Sequence, residues 1–272
     1  AIETQADPDS GQPGIVNIGF DEIAVGYDPP IPSEKNYTVN KVQASSLAPT
    51  IDGNLSSGEW DGAADPGCSG FVIHDDPAVA ATEDPVVKAL YDDTNLYVLL
   101  QVATAEFSQD FSPESPGDDT DSSGDKFPFF FLPQGNMGSQ FYRVSFVPDP
   151  SSGNLYLWDE AALSIGYPGV DSWDAANDSG AFNYDAGTNM LTIEYMIPWT
   201  DFNLSGAEVT SAPASGDSWG VQIGFSNTNL SSGTEYVNWE PDETAGYVQG
   251  YPFGTWLFED LQTDVNNWEM YH

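Results

Sequence analysis

The run Asp118-Asp119-Thr120-Asp121-Ser122-Ser123-Gly124-Asp125 places hard oxygen donors at alternating positions, with a glycine to sharpen the turn. Ca²⁺ takes ~6–8 such oxygens, so Asp119, Asp121 and Asp125 are expected ligands and calcium is the one cofactor expected; no organic cofactor is. An EF-hand would continue to a bidentate glutamate, which is missing here, and a solvated acidic loop has the same composition. His74-Asp75-Asp76 and Asp92-Asp93 are lesser candidates, because aspartate is ordinary in turns.

Catalytic chemistry finds little support. His74 and His272 are the only histidines, so a Ser-His-Asp triad would have to use His74, and no nucleophile-elbow motif accompanies it. Zinc catalysis needs histidine clusters that the chain lacks. With 43 Asp and Glu, a carboxylate pair for glycoside hydrolysis can be found anywhere and identifies nothing. The glycines sit in Ser/Asp-rich turns and not in phosphate-cradling loops. The expectation is a non-enzyme.

The same 43 acids stand against 5 Lys and Arg, a net charge of −38 on 272 residues. Nucleic acid and anionic membrane are excluded as partners, since both require basic residues to neutralise phosphate. No stretch approaches the ~20 consecutive apolar residues of a membrane helix. A surface this acidic calls for screening salt or divalent cations, so the chain reads as adapted to brine or calcium. It begins at Ala1, as a mature secreted product does after signal-peptide removal, and an extracellular or cell-surface location is expected. Asn36, Asn54, Asn177, Asn203 and Asn229 each head a glycosylation-type triplet. The single cysteine, Cys68, reads as a small buried hydrophobe.

The elements that must position any site are strands. Gly and Pro punctuate short β-branched and aromatic runs, the pattern of an all-β protein, an antiparallel β-sandwich of jelly-roll or immunoglobulin-like type. Val86–Tyr91 and Leu96–Val102 flank the acidic turn 92–95 and predict a hairpin. Further strands are predicted at Phe127–Leu132, Phe141–Val147, Asn154–Trp158, Met190–Ile197, Trp219–Ser226 and Thr255–Phe258. Alternation in Leu191–Ile197 predicts Thr192 and Glu194 on an outside face. Residues 41–272 are expected to form one sandwich. Residues 1–40 are expected to form an extended arm, with Val16, Ile18, Phe20, Ile23 and Val25 as its strand-forming positions and a stiff Pro29–Pro32 linker.

From residue 48 the chain resembles the family-9 carbohydrate-binding modules and the wider DOMON-like sandwiches. The ordered segments are Pro49-Thr-Ile-Asp-Gly-Asn-Leu with Glu59-Trp60, Val87 to Val98, Gln140-Phe-Tyr-Arg-Val, Thr192 to Trp199, Gly216 to Gly224, Asn238-Trp-Glu-Pro and Pro252 to Phe258. The resemblance implies a sandwich in which sugar-binding members hold a terminal sugar between two aromatic rings, aided by polar groups. Tyr247 matches the second ring and Arg143 a polar contact. No aromatic matches the first ring, and Pro128 stands at a position that is typically acidic. A haem-binding branch of the same superfamily needs axial ligands, which two histidines and unspaced methionines do not supply. Two readings follow. The first is a self-associating subunit of an extracellular filament, sheath or surface layer, its arm pairing into a neighbour. The second is a module that binds extracellular glycan through loop aromatics.

Overall fold

β-branched and aromatic residues fit a pleated, half-buried surface, and Asp, Gly and Pro break it into short pieces. The computed structural model describes residues 35–42, 48–74, 76–105, 126–133, 141–150, 152–162, 170–171, 173, 175–204, 208–230, 233–240 and 253–260. Within them the chain forms fourteen strands and no α-helix. In chain order these are β1 (Asn36–Lys41), β2 (Val72–Ile73), β3 (Asp76–Ala80), β4 (Val86–Tyr91), β5 (Asn95–Ala103), β6 (Phe127–Leu132) and β7 (Phe141–Asp149). They continue as β8 (Asn154–Ala162), β9 (Val170–Asp171), β10 (Ser179–Asp185), β11 (Met190–Pro198), β12 (Ser218–Leu230), β13 (Gly233–Asn238) and β14 (Gly254–Glu259).

The strand order is β10-β11-β5-β4-β1-β14-β12-β6-β7-β8-β9, and β13, β2 and β3 branch from β12. The sheet folds back on itself. Phe146 of β7 meets Tyr195 of β11 with ring centroids 4.8 Å apart, and Gly180 of β10 lies against Leu155 and Leu157 of β8. The result is the expected all-β sandwich. Its core is aromatic: Phe127, Phe129, Phe131, Trp219, Trp256 and Phe258 are all buried in one cluster. Pairing is antiparallel except at β1, which runs parallel to both β14 and β4.

That placement moves the expected boundary at residue 40. Asn36–Asn40 pair with Thr255–Glu259, so they belong to the sandwich and not to an arm. Residues 33–272 form one compact unit. The arm positions Val16, Ile18, Phe20, Ile23 and Val25 lie outside the described residues.

A second correction concerns Thr192 and Glu194. Alternation puts them outward from the core, as expected, but they are buried, Glu194 completely. The segment from residue 48 to 63 lies over this outer face, where Trp60 and Ala63 pack with Leu90, Tyr97 and Leu99, and with Ile51 at the margin. Glu194 pins that segment. Its Oε1 accepts from Trp60 Nε1 (3.0 Å), and its Oε2 accepts from the N–H groups of Asp52 (3.1 Å) and Gly53 (2.9 Å). Burial pushes the Glu194 carboxyl above the usual range, although these three donors pull it down. Gly53 is required at the crossing. Its φ is +80°, and a Cβ there would lie 2.5 Å from the Phe182 carbonyl carbon.

Candidate binding face

The other outward face, on β7, β6, β12 and β13, carries polar groups where the strands alternate away from the core. In β7, Tyr142, Val144 and Phe146 point inward, so Arg143 and Ser145 point outward. In β6, Phe127, Phe129 and Phe131 point inward, leaving Pro128 and Phe130 on the outside. In β12, Gln222, Gly224 and Ser226 alternate with the core residues Val221, Ile223 and Phe225. Register aligns these positions in rows across the strands. Arg143 pairs with Phe130, and Phe130 with Gln222; Ser145 pairs with Pro128, and Gly224 with Asn238.

The face is polar yet covered: Arg143 is 8% exposed, and Gln222 and Ser145 are 0%. The Arg143 guanidinium carbon sits 5.5 Å from the centroid of the Phe130 ring, a cation–π seat, and Phe130 makes an edge contact with Phe141 at 5.7 Å. Gln222 is locked on its other side. Its Nε2 donates to the Glu240 carbonyl (3.1 Å), and its Oε1 accepts from the Glu240 N–H (3.1 Å). At the far end, the Asn238 side-chain amide meets His74 Nδ1 at 2.7 Å. The hydroxyls of Ser145 and Ser226 are buried with no hydrogen-bond partner. Nearby, Lys35 donates to the Gly70 carbonyl (2.6 Å). Burial lowers its pKa, and the carboxylates of Glu240 and Asp84 oppose the shift.

Of the residues expected to bind glycan, Arg143 falls on this face and Tyr247 lies outside the described residues. The calcium candidates Asp119, Asp121 and Asp125 also lie outside them. Among the described residues, no three His, Cys, Asp or Glu side chains converge as a metal site. The lesser candidate Asp92 is a turn builder: its Oδ1 accepts from the N–H groups of Thr94 and Asn95, and its Oδ2 from Tyr97. Burial acts to raise the Asp92 carboxyl, but these donors outweigh it and hold the pKa low. Asp93 pairs with Lys41 at 2.7 Å. His74 is taken by Asn238, and its sequence neighbour Asp75 is outside the described residues.

Asn36, Asn54, Asn177 and Asn203 are exposed, while the side chain of Asn229 is outside the description. The Asn177 amide already donates to Asp201 (2.9 Å), so a glycan attached there would have to release that bond. Cys68 is buried, and burial pushes its thiol well up.

Sequence reasoning found Arg143 through the family resemblance but missed Ser145, Gln222, Ser226, Asn238 and His74. A signal existed for one of them. Gln222 interrupts Trp219-Gly-Val-Gln-Ile-Gly, and an amide inside an apolar strand has to satisfy its hydrogen bonds somewhere. The partner of His74 is 164 residues away, and no local pattern reports such a pairing.

No protein-family model matches the chain, and no curated protein matches it either. Solved structures do. A family-9 carbohydrate-binding module from Caldicellulosiruptor kristjanssonii, solved with cellotriose, superposes with a TM-score of 0.55 at 15% identity, covering 85% of this chain and 97% of that one. The same kind of module from that organism, solved with glucose, gives 0.53 at 15% identity, with 85% and 100% covered. A candidate carbohydrate-binding protein from Bacteroides uniformis gives 0.57 at 15% identity, with 83% and 99% covered. These likenesses show a family-9-like fold.

Proposed function

We propose that this chain is a non-catalytic carbohydrate-binding domain that takes a glycan on the outward face of β7, β6, β12 and β13. The observation that carries the reading is Arg143, seated over Phe130 and beside a locked Gln222. Sugar hydroxyls both donate and accept, and a guanidinium held in place on a rigid sheet suits them. Tyr247 remains the proposed stacking ring. Two of the structural neighbours were solved with cellotriose and with glucose, which makes neutral β-glucans the first ligands to try. They also favour this reading over the filament subunit, which no neighbour supports.

The test is a glycan array followed by titration calorimetry on the full chain. Binding is expected, and Arg143→Ala should weaken it about tenfold or more, the worth of a charge-assisted hydrogen bond. Absence of binding to any neutral or charged glycan by the unsubstituted protein overturns the reading.

A further inference from the structure

Independently of the binding face, we infer that the turn at residues 52–58 presents Asn54 as the residue at which the folded chain accepts an N-linked glycan. Five triplets carry the acceptor sequence, and the fold separates them. A transferase has to grip all three residues of a triplet, because both the Asn amide and the Ser or Thr hydroxyl two places on are required. In Asn54-Leu55-Ser56 all three are exposed, Leu55 at 47%. In Asn36-Tyr37-Thr38 the middle residue belongs to the core and pairs with Trp256 of β14. In Asn203-Leu204-Ser205 the Leu204 side chain is buried, and its N–H donates to the Tyr142 hydroxyl (2.9 Å). In Asn177-Asp178-Ser179 the Asp178 carboxylate accepts from the Tyr195 hydroxyl (3.0 Å), and Ser179 is paired with Met196 in the sheet. The side chain of Asn229 lies outside the description. Among the described triplets, only that of Asn54 can be gripped without drawing a side chain out of the core or a strand out of its sheet.

The turn has a pinned base and an open tip. On one side Glu194 holds the N–H groups of Asp52 and Gly53, and Gly53 crosses the backbone of Phe182 in β10. On the other, the Glu59 carboxylate accepts from the N–H groups of Thr50 and Ser56. Between these anchors residues 54 to 57 meet solvent. The Asn54 N–H bonds to Asp52 Oδ1 (2.8 Å), and Asn54 Nδ2 donates to the Asp52 carbonyl at 3.2 Å. That nitrogen carries two hydrogens, so it can keep the bond after losing one. The donor required is an oligosaccharide linked through pyrophosphate to a polyprenol. A bond forms between Nδ2 and the anomeric carbon while the anomeric C–O bond breaks. The lipid pyrophosphate leaves with the electron pair, and the amide proton passes to a base of the transferase. The position also gives the attached chain something to cover. Leu55 is one of three large apolar side chains exposed among the described residues. β10, which the turn crosses, ends the strand order and pairs only with β11. A bulky solvated chain beside an open edge hinders pairing with another molecule.

The test treats the folded full chain with an oligosaccharyltransferase and a lipid-linked oligosaccharide, and maps the products by peptide mass spectrometry. Synthetic peptides spanning residues 34–40, 50–58 and 201–207 measure how well each triplet is accepted without a fold around it. All three peptides should be modified. In the folded chain Asn54 should be modified at a rate close to that of its peptide. Asn36 and Asn203 should fall more than about tenfold below theirs, since each has to wait for local opening of the core. Asn54→Gln should leave the folded chain nearly unmodified, with its melting temperature unchanged, because the anchors at Glu194 and Glu59 do not involve this side chain. Refusal of Asn54 by the transferase in the folded chain or in the peptide overturns the assignment. So does modification of Asn36 or Asn203 in the folded chain at the rate of Asn54. None of these outcomes bears on whether the chain binds sugar.

Discussion

Glu194→Leu is the sharpest probe of how the sandwich holds its second layer. The substitution keeps an outward-facing apolar side chain beside Leu99 but strips three N–H donors, from Trp60, Asp52 and Gly53, of their only shared acceptor. Removing one partner of a buried charged network costs about 3–5 kcal/mol, since the stranded donors are left dry and the relief of carboxylate desolvation offsets only part. In a domain of this size each kcal/mol lowers Tm by about 2–4 °C, so a drop of about 6–20 °C is expected by calorimetry. Amide exchange should rise at Asp52 and Gly53 before it rises in β4 and β5. The pH dependence adds an independent check. Burial raises the Glu194 carboxyl in the folded state, so the fold binds this proton more tightly than the unfolded chain does. Its contribution to stability is therefore greatest below the ordinary glutamate pKa of about 4.3 and falls as pH rises from there through the raised value. That descending component should vanish in Glu194→Gln. A Glu194→Leu protein that melts within about 2 °C of the parent, with unchanged exchange at Asp52 and Gly53, would refute the pinning.

Gly254→Ala should destabilise by about 1–3 kcal/mol in urea unfolding, because its Cβ would fall 2.2 Å from Trp239 Cζ3 in a packed core; an unchanged midpoint would show that the Trp239 ring can move aside. Melting temperature should rise with added salt and further with calcium, the latter through Asp119, Asp121 and Asp125. A Tm that is flat from low to high salt and with calcium rules out both effects.

The hairpin β4–β5 was legible because both runs are apolar and a side-chain-bonded Asp92 turn joins them. β1 was harder: Tyr37 and Val39 alternate inward, but the strand follows a proline-rich run and finds its partners 50 to 220 residues later. β2, β3 and β9 are too short to carry a period, and β10 is half exposed. Glu194 shows a different failure. Strict alternation assumes that the outward face meets water. The continuous apolar run Leu96-Tyr-Val-Leu-Leu100 in β5 already says otherwise, since such runs belong to strands covered on both sides. β11 pairs with β5, with Glu194 opposite Leu99, so whatever covers one covers the other. The buried glutamate was thus implied by its neighbour's sequence, and its partner Trp60 by neither.

The charge imbalance is resolved locally in a way that fixes the direction of the salt effect. Few of the described carboxylates have a cation at hand: Lys41 bridges Asp93 and Asp260, and Lys88 pairs with Asp65. Far more of them accept from N–H groups. Asp84 takes those of Gly70 and Phe71, Asp185 that of Gly187, Asp217 that of Ala214, and Asp201 those of Asn177. Such bonds act over about 3 Å and are little weakened by a screening length of about 10 Å at 0.1 M salt. The repulsion among 38 net negative charges acts over longer distances and is weakened. Salt therefore removes the unfavourable interaction and leaves the favourable ones in place. In a protein built on surface ion pairs the two would fade together, and stability would change little with ionic strength.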